Sequence, residues 1–148
     1  MNIYPIDLLL ADDDEDDRLL FKEALAELPI LTNLTIVNDG EQLIQLLATL
    51  TGQVPAVLFL DLNMPRKNGF ECLTEIRLNE KYKSVPVIIY STSFDEEMIN
   101  RLYKNGAQYY IRKPAEFSKL KDVIYEALIL ITQRVRIKPG NEKFILHS

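Results

Sequence analysis

The chain has 148 residues, enough for one compact domain, and its 47% hydrophobic and 26% charged content is that of an ordinary globular protein rather than a disordered one. Seventeen basic against 22 acidic residues leave a net charge of −5, which excludes the basic footprint of a nucleic-acid or anionic-membrane binder. The one cysteine, Cys72, excludes an intrachain disulfide, and no Cys/His spacing suggests zinc.

The N-terminal residues Met1-Asn2-Ile3-Tyr4-Pro5 lack a basic region followed by an apolar core, and no apolar run approaches the ~18 residues of a membrane span. The expected location is therefore the cytoplasm, with no membrane partner. From residue 6 to about residue 132, short apolar runs alternate with amphipathic stretches, the pattern of a βα-alternating fold. Ile6 to Ala11 reads as a buried strand, and beyond a run of acids Phe21, Ala24, Leu25 and Leu28 recur at helical spacing until Pro29. Leu34 to Val37 is the next strand, and Leu43, Leu46, Leu47 and Leu50 form the next helical face, closed by Gly52 and Pro55.

Ala56 to Leu60 is uninterrupted apolar, as a central parallel strand covered on both faces requires, and it delivers Asp61 at its C-terminal end. Asn68-Gly69 precedes a helix carrying Phe70, Leu73 and Ile76. Pro86 to Tyr90 is a fourth strand ending at Ser91, with Asp95 as the candidate cap of the helix that follows through Met98, Ile99, Leu102 and Tyr103. Gly106 suits a helix stop, and Tyr109-Tyr110-Ile111 makes a short fifth strand before Lys113-Pro114.

A last helix carries Leu120, Val123, Ile124, Ala127, Leu128 and Ile131 on one stripe. Ile129 and Leu130 lie off it, which makes a second copy of the chain a candidate partner, a homodimer, against scattered surface residues as the plainer explanation. The expected division is one domain over residues 1–132 and a C-terminal tail over 133–148, too short for an output domain, with an extended piece at Phe144-Ile145-Leu146. His147 is expected to be solvated, and Cys72 to be a small core residue rather than a reactive thiol.

Five strands alternating with five helices predict an α/β, doubly wound parallel sheet, in which functional groups gather at the carboxyl ends of strands. Asp12 and Asp13 follow the first strand, Asp61 ends the third, Ser91 ends the fourth and Lys113 follows the fifth, so all should converge on one rim. Three carboxylates there would repel one another unless a hard divalent cation neutralised them, and an all-oxygen set with room for water suits Mg2+. One Asp61 oxygen is then free to attack phosphorus in line and form an aspartyl phosphate. Lys113 is placed to neutralise a phosphoryl oxygen, and Ser91 to donate a hydrogen bond to another.

Asp12-Asp13, Asp61 within Leu60-Asp61-Leu62-Asn63-Met64-Pro65, Ser91 within Tyr90-Ser91-Thr92, and Tyr110-Ile111-Arg112-Lys113-Pro114 together resemble the response-regulator receiver domains of two-component signalling, over nearly the whole chain. The acidic run from Asp12 to Asp17 and the Ser91-Thr92-Ser93 segment resemble small stand-alone receivers that partner phytochromes. The resemblance implies a flavodoxin-like fold with strand order 2-1-3-4-5. It implies direct Mg2+ ligation by Asp13 and Asp61, assistance through water from Asp12, and a further ligand in the Asn63 carbonyl. It also implies that Ser91 follows the phosphoryl group inward while Tyr110 rotates into the vacated space, and that the Lys113–Pro114 bond is cis, so that Pro114 is a cis-proline. The implied partners are a histidine kinase or phosphotransfer protein as donor and a downstream protein target. The chain would act as a switch rather than a turnover enzyme, catalysing its own phosphorylation and slow dephosphorylation, with Asn63 and Ser93 flanking the water route.

Three rivals remain in view. Asp12, Asp14, Asp16, Leu19 and Glu23 match positions of a calcium-binding EF-hand loop, but the position that needs glycine holds Asp17, and the run follows a predicted strand instead of a helix. A haloacid-dehalogenase-like phosphatase also uses a strand-end aspartate with Mg2+, but it needs a second aspartate two residues on as general acid, where this chain has Asn63. A receiver-like module that works without phosphorylation would be expected to lack an acid, the acceptor or the lysine. Taken singly, Asp61 is as easily a turn former, and Ser91 and Lys113 surface residues; their joint placement carries the signal. Asp14, Glu15, Asp16 and Asp17 are assigned to the helix N-terminus, where acids complement the macrodipole.

Overall fold

The computed structural model describes residues 4–133 and 141–147. Its elements run β1 (Ile6–Ala11), α1 (Glu15–Ala26), β2 (Thr32–Val37), α2 (Gly40–Thr49), β3 (Val57–Leu60), α3 (Gly69–Leu78), β4 (Val87–Ser91), α4 (Glu96–Lys104), β5 (Tyr109–Arg112), α5 (Phe117–Thr132), α6 (Asn141–Phe144) and β6 (Ile145–Leu146). The strands form one parallel sheet in the order β2-β1-β3-β4-β5-β6. This is the expected flavodoxin-like α/β fold, enlarged by one strand.

Strand polarity follows position in the sheet. β3 and β4 lie inside it and every residue of both is buried, whereas β2 forms the edge and alternates half-buried with exposed until Val37. Two apolar layers result, one on each face. Phe21, Ala24 and Leu25 of α1 join Leu120, Val123, Ile124, Ala127 and Leu128 of α5 against one face. Leu43 and Leu47 of α2, Cys72, Leu73 and Ile76 of α3, and Ile99 and Leu102 of α4 cover the other. Leu130 and Ile131 pack against the first of these layers, so the off-stripe Leu130 is partly covered within its own chain.

Helix starts follow the local polar residues. Asp14, Asp39, Asn68 and Asp95 are N-caps whose side chains accept backbone N–H groups, and Asn68 with Glu71 forms a full capping box. Gly106, at φ +95°, ends α4 as expected, and a Cβ there would meet Arg77 Nε at 3.0 Å. That close approach has a use. Arg77 donates to the Gly106 carbonyl through Nε (3.1 Å) and Nη2 (2.8 Å), and to the Lys83 and Val85 carbonyls through Nη1 (2.9 and 2.7 Å), tying α3 to the turns that precede β4 and β5.

Part of the C-terminal tail joins the sheet. Ile145 pairs with Tyr110 and Leu146 with Ile111, so two residues of the extended piece expected at Phe144 to Leu146 form a sixth strand on the β5 edge, while Phe144 ends the short helix α6. The cause is hydrophobic: Phe144 is fully buried, with its ring 5.1 Å from that of Tyr103 in a T-shaped contact, and Leu146 is buried as well. Unpaired donors and acceptors on the β5 edge give the segment its ladder partners. His147 is exposed, as expected.

If Phe144 anchors this segment, Phe144→Ala should lower unfolding stability by about 2 kcal/mol or more, within the range for burying and then deleting an aromatic side chain. Urea unfolding followed by circular dichroism measures it, and an unchanged midpoint would show that the sixth strand adds nothing to the domain.

Candidate functional site

The sheet brings the acids together through its register. The Asp12 N–H donates to the Val37 carbonyl (3.2 Å) and the Asp61 N–H to the Ala11 carbonyl (2.9 Å), which sets the ends of β1 and β3 side by side. Carboxylate oxygens of Asp12, Asp13 and Asp61 all lie within 4.8 Å of one another. Asp12 and Asp61 are buried and Asp13 is exposed, so the cluster opens to solvent on one side. Gly69 makes this possible from below: a Cβ there would come within 2.5 Å of the Asp61 carbonyl oxygen, so only glycine lets the start of α3 approach the acid so closely.

Lys113 reaches the cluster from the end of β5, where its N–H donates to the Ser91 carbonyl at 2.8 Å. Its ammonium lies 2.9 Å from Asp12 Oδ2, 2.8 Å from Asp17 Oδ2 and 3.7 Å from Asp61 Oδ1, and 5.0 Å from the centre of the Tyr90 ring. Burial works against the charged amine, but its hydrogen bonds to Asp17 and Asp12 and the nearby Asp61 charge outweigh that and hold its pKa above the ordinary lysine value.

The acids feel the opposite pressure. Burial pushes the Asp61 carboxyl up to about 7, against the attraction of Lys113 and with reinforcement from the Asp12 charge and the Asp13 side chain; a backbone hydrogen bond from Asn63 partly offsets the rise. Burial likewise raises Asp12, although Lys113 and the Asp14 N–H (3.0 Å to Oδ1) favour its charged form. Asp12 Oδ2 is buried, and its partner is the Lys113 ammonium at 2.9 Å. Two buried carboxylates beside an exposed one, on a side open to water, are an all-oxygen set that fits a hard cation such as Mg2+.

The second half of the rim is built on β4 and the loop after it. Ser91 is fully buried, and its Oγ accepts from the Ser93 N–H at 3.1 Å. The Ser93 Oγ in turn accepts from Asn63 Nδ2 at 2.9 Å, which links the loop after β4 to the loop after β3. Tyr110 is fully buried with its hydroxyl donating to the Ser93 carbonyl, so in this structure the ring is turned inward. Every site residue read from the sequence therefore lies at this rim, except that Pro114 differs in geometry: among the described residues no peptide bond is cis, so the expected cis Lys113–Pro114 bond is trans. Trans is the ground state of an X–Pro bond by about 0.5–1 kcal/mol, and here Lys113 reaches both its backbone and side-chain partners from it.

Two members of the site escaped the sequence reading. Asp17, assigned only to the helix N-terminus, does occupy the first turn of α1 but also binds Lys113; Arg18 Nη1 donates to the Asp12 carbonyl at 3.0 Å. No spacing rule connects residue 17 with residue 113, so nothing in the sequence announced that pair. The EF-hand reading fails on structure as well, since the acidic run follows β1 and Asp14 caps a helix. Cys72 is buried, and burial pushes its thiol up to about 12, the inert core cysteine expected.

The family description "response regulator receiver domain" matches residues 8–125. The nitrate/nitrite response regulator protein NarL of Escherichia coli (strain K12) is 34% identical over 126 residues, covering 85% of this chain and 56% of NarL, so the chain spans about half that relative's length. Response regulator Rcp1 of Synechocystis sp. is 31% identical over 118 residues, covering 76% of this chain and 80% of the relative. Among solved structures, the phosphorylated cyanobacterial phytochrome response regulator RcpA superimposes with a TM-score of 0.78 at 29% identity, covering 93% of this chain and all of that one.

The crowding of acids should be visible in stability. Between its ordinary pKa of 3.8 and its folded value of about 7, Asp61 keeps its proton in the folded chain and loses it in the unfolded one. Its contribution to stability therefore falls as pH rises through that window. Asp61→Asn removes the penalty, and in the presence of a chelator it should exceed wild type by on the order of 1–3 kcal/mol at pH 8 and match it near pH 4. Urea unfolding of both proteins at the two pH values measures the difference; a variant less stable than wild type at pH 8 would contradict the assigned electrostatics.

Proposed function

The chain belongs to the response regulator receiver domain family and has that family's phosphoacceptor signalling role, and we propose that Asp61 is its phosphorylation site. The single observation that carries this is the position of Asp61 at the end of β3, buried beside Asp12 and Asp13 and 3.7 Å from the Lys113 ammonium. Receiver domains bind Mg2+ at an acidic pocket of this kind, and here Asp12, Asp13, Asp61 and the Asn63 carbonyl would hold the ion. Bound there, it would neutralise the three acids and draw charge from the phosphoryl oxygens.

The remaining chemistry is done by the chain. An Asp61 carboxylate oxygen attacks phosphorus, its new O–P bond replacing the bond to the donor's histidine nitrogen or, with a small acyl phosphate, to the acyl oxygen. Lys113 takes one phosphoryl oxygen as its counter-ion and the Ser91 hydroxyl donates to another. Drawing Ser91 toward the phosphoryl group alters the hydrogen bond that its Oγ accepts from Ser93, and Ser93 is the residue that receives the Tyr110 hydroxyl and the Asn63 amide. Modification at one rim is thereby transmitted to β5 and the loop before α4.

Release of phosphate needs water in line with the same bond. Asn63 and Ser93, hydrogen-bonded to each other, flank that approach, and neither is the carboxylic acid with which a phosphatase of the haloacid-dehalogenase type would speed turnover. Slow self-dephosphorylation follows, and the chain works as a switch. Its donor is a histidine kinase or phosphotransfer protein and its target a protein, with both encounters in the cytoplasm.

Incubation with Mg2+ and a small acyl phosphate should add one phosphoryl group to the intact mass of the wild type and none to Asp61→Asn, and chelation of the metal should abolish the gain. Equal labelling of both proteins, or no gain in wild type, would refute Asp61 as acceptor.

A further inference from the structure

Lys113 has two roles to reconcile: it must be available to a phosphoryl oxygen on Asp61, and it must be kept at the rim while a cation claims the acids around it. In the structure its ammonium is held by Asp12 and Asp17 at 2.9 and 2.8 Å, and it stops 3.7 Å short of Asp61. Asp12 is part of the three-acid cluster and is lost to Lys113 as a full partner once a cation draws on its charge. Asp17 stands outside that cluster, so it remains.

Asp17 is fixed independently of the lysine. It occupies the first turn of α1, and its N–H donates to the side chain of the N-cap Asp14 at 3.0 Å. Its side chain is 30% exposed whereas that of Lys113 is 8% exposed, so Asp17 approaches the amine from the solvent side while Tyr90 faces it at 5.0 Å. An ammonium has three protons. One directed to Asp17 sets the amine's position and leaves others for the Asp61 side.

We propose that Asp17 is a positioning residue for the phosphoryl-transfer step: it anchors Lys113 at the distance from Asp61 that lets the amine meet the incoming phosphoryl oxygen without leaving its anchor. This rests on Asp61 being the acceptor. Without Asp17 the lysine keeps its charge but is held by the cluster alone, and it must leave Asp12 each time a cation binds.

Three variants separate positioning from charge. Asp17→Asn keeps the shape and removes the anion; Asp17→Glu keeps the anion; Asp16→Asn removes one charge from the same turn at an exposed residue away from Lys113. The first readout needs no phosphorylation: acetylation of Lys113 by an amine-reactive ester, followed by peptide mass spectrometry in the presence of Mg2+. It should be faster in Asp17→Asn by about fivefold or more and unchanged in Asp16→Asn, because acylation needs the neutral amine, and the Asp17 carboxylate both holds the side chain and favours its ammonium form. The second is the rate of phosphoryl gain from acetyl phosphate at saturating Mg2+, expected to fall about tenfold in Asp17→Asn, to recover for the most part in Asp17→Glu, and to change little in Asp16→Asn. Mg2+ affinity by titration calorimetry should stay within about twofold of wild type in all three.

Lys113 reactivity in Asp17→Asn equal to wild type would overturn the proposal. So would a labelling rate equal to wild type, an equal loss in Asp16→Asn, or a loss of Mg2+ affinity as large as the loss of rate. If the wild type gains no phosphoryl group at all, the acceptor assignment has failed, and Lys113 reactivity alone then decides whether Asp17 anchors the amine.

Discussion

The repulsion among three carboxylates at the ends of β1 and β3, offset by the Lys113 ammonium from the end of β5, is the constraint on which this molecule turns. Asp12 and Asp61 are buried, and burial of a carboxylate is unfavourable unless a charge or a proton compensates it. The chain compensates with both, through an Asp61 whose proton is held to about 7 and a lysine held near three acids. A site balanced in this way is ready for a hard cation, since binding one relieves the repulsion that the fold itself created.

The sheet supplies the rigidity that such crowding demands. Residues at the C-terminal ends of β1 and β3 are pinned by ladder hydrogen bonds, and Gly69 lets α3 close on the Asp61 backbone at a distance no other residue would permit. α1, α3 and α4 each begin with a side chain that accepts free N–H groups, which anchors the far ends of the loops carrying Asp13, Asn63 and Ser93. Precision here follows from backbone geometry more than from the number of contacts that any one acid makes.

A hydrogen-bonded route leads away from the rim. Asn63 binds Ser93, Ser93 binds Ser91 and receives Tyr110, and β5 carries Tyr110 beside the strand that the C-terminal residues add. Phe144 packs on Tyr103 of α4 and belongs to the same apolar layer as Tyr110. The face formed by α4 and the β5 edge is thus joined at one end to the acceptor loop and covered at the other by the chain's own last described residues. A change at Asp61 that disturbs Ser93 has a defined physical path to that face.

The alternation of apolar runs and helical stripes determined the α/β class, the order of its elements and the strand ends at which Asp12, Asp61, Ser91 and Lys113 stand, because hydrophobic periodicity is a local property that a linear sequence records directly. The uninterrupted apolar run before Asp61 even marked β3 as interior. What only tertiary structure decided involves residues far apart in sequence. Asp17 binding Lys113, Arg77 clamping the turns before β4 and β5, and Phe144 drawing a sixth strand onto the β5 edge each depend on which faces meet after folding. The trans Lys113–Pro114 bond belongs to the same group, for an isomer separated by about 0.5–1 kcal/mol is chosen by its surroundings and leaves no mark in the sequence.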